Sequence, residues 1–128
     1  MYIYYDENNY VTGYGSEQEE RSIEVISVPE EVDRHLGCYK FELVENQVRY
    51  YPDEKRIAWM EQLWSSEREI SNLNAWFKWY DEQTVQYQRS TRLGLEFDKN
   101  IDELDAQAVI NAARIKELRA FMSTPYSE

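Results

Sequence analysis

The sequence predicts an α+β chain: a small N-terminal antiparallel β domain over residues 1–52, followed by long α-helices in a coiled coil or a helical-hairpin bundle. Three observations carry this. Tyr39, Phe41 and Leu43 alternate with Lys40 and Glu42, the period of two of a half-buried strand. No Pro or Gly occurs from Asp53 to Leu93, and apolar residues recur there at heptad spacing. A second heptad pattern runs from Ile101 to Met122.

In the β domain, Tyr2-Ile3-Tyr4-Tyr5 has the residue types that favour strands. Asp6-Glu7-Asn8-Asn9 carries turn chemistry, because Asn and Asp tolerate left-handed backbone and bond their own turns. Tyr10-Val11-Thr12-Gly13-Tyr14 reads as the return strand, and Gly15 to Arg21 as a polar loop. Ser22 to Val28 is a third strand, stopped by Pro29. Glu30 to Leu36 has the length for one or two helical turns, with Gly37 as the stop. Cys38 to Tyr51 is the clearest hairpin, turning at Glu45-Asn46. A sheet of four or five short strands from so few residues has a thin core and needs cover from the helices or another subunit.

Pro52-Asp53-Glu54 opens the first long helix, since Pro suits a first turn and acidic groups there offset the positive end of the helix dipole. A helix over 53–93 would be about 60 Å long at 1.5 Å per residue. In one register Leu63, Ile70, Phe77, Thr84 and Thr91 take position a, while Trp59, Ser66, Leu73, Tyr80 and Tyr87 take position d. The seam is mostly apolar from Trp59 to Tyr80 and weakens beyond Val85. Trp76-Phe77-Lys78-Trp79-Tyr80 puts aromatics on more than one face, which a solvated helix tolerates poorly. Two readings stay open for it: cover by the β domain or the second helix of the same chain, or a junction between chains. Gly94 sets a kink or turn over 94–99. A second helix follows over 100–122, opened by Asn100, Asp102 and Glu103. Its seam has Ile101, Ala108, Ile115 and Met122 at a, with Leu104, Asn111 and Leu118 at d. Arg114, Lys116 and Arg119 crowd its last turns, and Ser123-Thr124-Pro125 stops it before a tail over 123–128. Asn111 either selects the register as a buried amide or sits half-exposed where the seam rotates.

Composition narrows the function. With 25 Asp+Glu against 14 Lys+Arg the net charge is -11, which disfavours nucleic acid and anionic membranes as partners. Eleven Tyr and 4 Trp in a chain of mean hydropathy -0.80 suit protein contacts. Cys38 is the only cysteine and His35 the only histidine, so neither a disulfide nor a Cys/His metal cluster is expected. His35, beside Asp33 and Arg34, reads as a surface residue. Gly13-Tyr14-Gly15 is too short for a phosphate cradle, and no carboxylate pair stands out from its neighbours. The expectation is a chain without cofactor or catalytic residues. With no signal peptide and no apolar run of about 20 residues, it is expected to be made in a reducing cytoplasm.

The opening Met1 to Tyr14, the stretch Tyr39 to Tyr51 running directly into a long helix, and the segment Glu103 to Arg119 together resemble small tail and baseplate proteins of siphophages that infect Gram-positive bacteria. The resemblance covers most of the chain as a layout. It implies a virion subunit, assembled in the host cytoplasm, with a docking β head and helices in a trimeric bundle or stalk alongside other virion proteins. No carbohydrate-binding head follows the helices, which favours an adaptor or linker over a receptor binder. The mixed a and d residues leave dimer, trimer and hexamer open. The residues expected at the oligomer interface are Trp59, Leu63, Ile70, Leu73, Trp76, Phe77 and Tyr80 on the first helix. On the second they are Ile101, Leu104, Ala108, Asn111, Ile115, Leu118 and Met122. The rival expectation is an acidic monomer that inhibits a basic host protein.

Overall fold

A computed structural model describes residues 1–127 and shows the expected α+β order; the last residue of the tail, Glu128, lies outside the described residues. The chain forms two compact units, Met1–Glu61 and Gln62 onward.

The first unit holds two antiparallel sheets where one was expected. Strands β1 (Tyr2–Tyr5), β2 (Val11–Gly15) and β3 (Ser22–Glu24) form one sheet in the order β2-β1-β3. The Asp6 carboxylate makes the β1–β2 turn by accepting the N–H groups of Asn8 and Tyr10, and Asn9 takes φ 66°. A register shift between Tyr4 and Tyr5 ends the ladder at Val11. Tyr10 instead bridges to Lys40 of the second sheet, which is why the return strand runs one residue later than its sequence suggests. Strand β3 is shorter than the expected Ser22 to Val28 because its partner runs out. Ile3 pairs with Ile23 and Tyr2 with Glu24, and the Val25 N–H reaches Met1 O, the start of the chain. Ile26 is left fully exposed.

The second sheet is the expected hairpin, β4 (Tyr39–Val44) and β5 (Gln47–Pro52). Glu45 and Asn46 both have positive φ, 52° and 65°, as a two-residue turn matched to the strand twist requires. Helix α1 (Glu30–Arg34) follows Pro29. Gly37, at φ 89°, turns the chain into β4 with its N–H on Val11 O. Ile3, Val11 and Val32 form the fully buried centre of this unit, ringed by partly buried side chains such as Ile23, Leu36, Phe41 and Val48.

Helix α2 (Glu54–Leu93) is unbroken. Pro52 belongs to β5, and Asp53 is the cap: its Oδ1 accepts the Arg56 N–H and its carbonyl accepts the Ile57 N–H. Gly94 takes φ 71° and closes the helix, with Gly94 N–H bonded to Thr91 O and Leu95 N–H to Ser90 O. Helix α3 (Ile101–Ser123) starts at Asn100, whose side chain accepts the N–H groups of Asp102 and Glu103. Its end differs from expectation, because no basic residue lies in the last turn. The Ser123 and Thr124 hydroxyls donate to the carbonyls of Arg119 and Ala120 and satisfy that end of the helix locally.

Candidate functional site

The second unit is an antiparallel helical hairpin. As the chain descends α2 it meets rising residues of α3. The Tyr87 ring lies 5.4 Å from Phe97, the Tyr80 hydroxyl donates to Asp105, and Arg114 forks onto Glu69 with its Nε and Nη2. Arg114 also bonds Glu117 at 3.3 Å. Further along, Ser66 and Leu118 line one cleft. Extended along the helices, this register sets Phe77 level with Ala108 and Leu73 level with Asn111.

The expected seam residues therefore come together within one chain. Ile115, Leu118 and Asn111 are buried, while Ile101, Leu104, Ala108 and Met122 are half-buried. On α2, Leu63, Ile70, Leu73, Trp76, Phe77 and Tyr80 are half-buried. Trp59 is the exception, since it falls in the first unit. The aromatic group stacks on itself: Trp76 lies parallel to Tyr80 at 5.2 Å and edge-on to Phe77 at 5.1 Å. Trp79 stays exposed.

The seam's buried polar residues were less legible. Asn111 is 8% exposed, and its Oδ1 accepts from Gln107 on the same helix at 2.8 Å, so its carbonyl needs no second chain. Ser66 and Gln83 are also buried, and Gln83 Oε1 has no hydrogen-bond partner among the described residues. The ion pair shifts its members as expected for contact. The hydrogen bond from Arg114 lowers the Glu69 pKa, and the bonds to Glu69 and Glu117 raise that of Arg114. The hydrogen bond to Asp105 raises the Tyr80 phenol.

In the first unit, His35 is buried rather than on the surface, with Nε2 3.2 Å from Glu61 Oε1. It caps the C-terminal end of α1, and Glu61, in the second turn of α2, meets it. Cys38 is buried with its sulfur 3.9 Å from Met60 Sδ, and burial pushes the thiol pKa up. Tyr10 is clasped by its surroundings. Its hydroxyl donates to Asp53 at 2.8 Å, and the Arg56 guanidinium lies 3.6 Å over its ring. Burial pushes the Asp53 pKa up, but the bonds from Tyr10 and from the Arg56 and Lys55 N–H groups, with the Arg56 charge, hold it below the usual range. These contacts fasten Tyr10, the residue before β2, to the start of α2.

One surface was missed by reading the seam alone. Val109 and Ile110 are large, apolar and exposed in the middle of α3. A second apolar line through Ala106 and Ala113 was the available signal, hidden because heptad counting selects one face.

Among the described residues no group of three or more His, Cys, Asp or Glu is placed to hold a metal ion, and no helix is long and apolar enough to cross a membrane. No protein-family model matches the chain, no curated protein matches it, and no solved structure matches it.

Proposed function

We propose that the chain is a non-enzymatic assembly subunit that associates with further protein chains through its helices. The layout described above suggests the setting: an adaptor or linker in the tail tip or baseplate of a phage. One observation carries the assembly reading. Among the described residues of the helical unit, Ile115 and Leu118 are the only buried apolar side chains. Helix α2 still leaves Trp64, Trp79 and Val85 exposed. Two helices have only one mutual face, so such a hairpin has little core and gains stability when another layer covers it.

Light scattering and thermal melting test this. The expected result is a species larger than a monomer at tens of micromolar, and a helix melting midpoint that rises with protein concentration. A monomer with a concentration-independent midpoint refutes self-assembly. A second reading, an acidic inhibitor of a basic host protein, is favoured by the charge of -11 and by seams that meet within the chain. It requires a monomer with tight, salt-sensitive binding to a basic protein.

A further inference from the structure

Beside the Arg114–Glu69 pair, α2 and α3 enclose a polar cleft of about 200 Å3. Small-molecule pockets run from roughly 300 to 1,000 Å3, so this one has room for a single side chain. Its charged lining is Glu69, Glu117 and Arg114, two carboxylates against one guanidinium. No other charged side chain among the described residues lines it. The guanidinium is fully occupied: Nε and Nη2 lie on the two oxygens of Glu69, and Nη1 on Glu117 Oε2 at 3.3 Å. Both Glu69 oxygens are thereby taken, while Glu117 Oε1 has no hydrogen bond among the described residues. The excess negative charge of the cleft rests there.

A second observation points into the same cleft. Ser66 is 5% exposed and lines it, yet its hydroxyl makes no hydrogen bond among the described residues. A polar side chain that deep is normally paired. Hydroxyls on helices commonly bond the carbonyl four residues back, as Thr84 does to Tyr80 and Ser123 to Arg119. Ser66 does not, which leaves its oxygen for a donor entering the cleft.

We infer that the cleft receives a lysine side chain from a basic segment of a different protein. The excess charge selects a cation. The unoccupied acceptors are Glu117 Oε1, the Ser66 hydroxyl and the amide oxygen of Gln62, which lines the cleft one turn before Ser66. Three separate acceptors suit the three N–H donors of an ammonium. A guanidinium pairs best with both oxygens of one carboxylate, and neither carboxylate here has both free. Leu118 and Phe121 offer apolar surface for the lysine stem. Two copies of this chain repel each other at -11 each, whereas a basic segment is attracted, so the lysine belongs to another protein. This rests on the assembly reading and names the chemistry of one partner.

The test is titration of the isotope-labelled full chain with the peptide acetyl-Gly-Lys-Gly-amide at about 150 mM salt, where long-range attraction is screened, followed by amide chemical shifts. Saturable shifts centred on Ser66 and Glu117 are expected, with a dissociation constant of roughly a few millimolar. Ser66→Ala is expected to weaken binding about fivefold and Glu117→Gln about tenfold. General attraction to an acidic surface is indifferent to Ser66→Ala, which changes no charge, so parent-like affinity in that variant overturns the site. The same peptide with its lysine acetylated is expected to leave the spectrum unmoved, and equal binding overturns the role of the cation. Tighter binding of the arginine peptide overturns the choice of lysine. Light scattering of both variants is expected to match the parent; loss of an oligomer in either shows that a second copy fills the cleft and overturns the different-protein source. Peptide binding by a monomeric parent supports the cleft while refuting self-assembly, so the two readings fail separately.

Discussion

Two identical substitutions on α3 separate the face that meets α2 from the face that does not. Ile115 is 8% exposed and Ile110 is 61% exposed. Changing either to Ala removes three carbons, worth about 2.4 kcal/mol when fully buried, at about 0.8 kcal/mol each. Ile115 loses nearly all of this, plus a cavity term that a two-layer hairpin reduces by relaxing. Ile110 has only about two-fifths of its surface to lose, or about 1 kcal/mol. Both changes gain a few tenths of a kcal/mol, roughly equal, from the better helix propensity of Ala, and this cancels in the comparison. Ile115→Ala should therefore cost about 1.5 kcal/mol more than Ile110→Ala, about a tenfold difference in the folding constant. Urea unfolding followed by far-ultraviolet circular dichroism, in dilute protein where association does not contribute, should separate the midpoints by about 1 M. Equal midpoints, or a larger loss for Ile110→Ala, would refute the placement of α3 against α2.

Further outcomes follow from the buried and charged groups. Gln83→Met removes the orphaned Oε1 from the seam and should stabilise the helical unit by about 1 kcal/mol in the same urea assay; a loss of that size would mean the amide is satisfied. Glu69 has a lowered folded pKa, so its contribution is present above its ordinary value of 4.5 and is lost as pH falls through the folded value. Melting temperature should accordingly fall less between pH 7 and pH 3 in Glu69→Gln than in the parent, and identical falls would show that the ion pair is not formed in solution. Buried and with a raised pKa, the Cys38 thiol should react with a disulfide reagent only on unfolding, so rapid labelling of the native protein would contradict its burial.

Local chemistry made much of the fold legible. Gly94 and Asn100 announced the end of one helix and the start of the next, because left-handed backbone and N-terminal capping depend on single residues. Glu45-Asn46 marked its turn for the same reason. The division of the β domain into two sheets was not legible, since it depends on Tyr10 leaving one ladder to bridge Lys40. His35 was misplaced because its neighbours Asp33 and Arg34 are charged, whereas it is buried and meets Glu61 of α2, far along the chain. For the site, the heptad pattern located eight of the fourteen half-buried residues described on α2 and missed Arg56, Ile57, Met60, Glu69, Trp76 and Ser90, which flank the seam; a pattern of period 3.5 reports only that a stripe is covered. It carries no information on whether the cover is the same chain.

The division of labour between the two faces of α3 decides what this hairpin can do alone. Of the five buried residues among those described in the helical unit, Ser66, Gln83 and Asn111 are polar. Polar groups in a seam reject wrong registers and contribute little net stability. The Arg114–Glu69 ion pair and the Tyr80–Asp105 hydrogen bond act similarly at the rim, where exposed polar contacts are weak but directional. The α2–α3 contact is thus built to fix which residues face each other. The β-branched pair Val109 and Ile110, which carries no polar atoms, stands on the opposite side of the same helix. A seam that specifies and an outer face that supplies apolar area are parts of one design only if that outer face is buried in the working state.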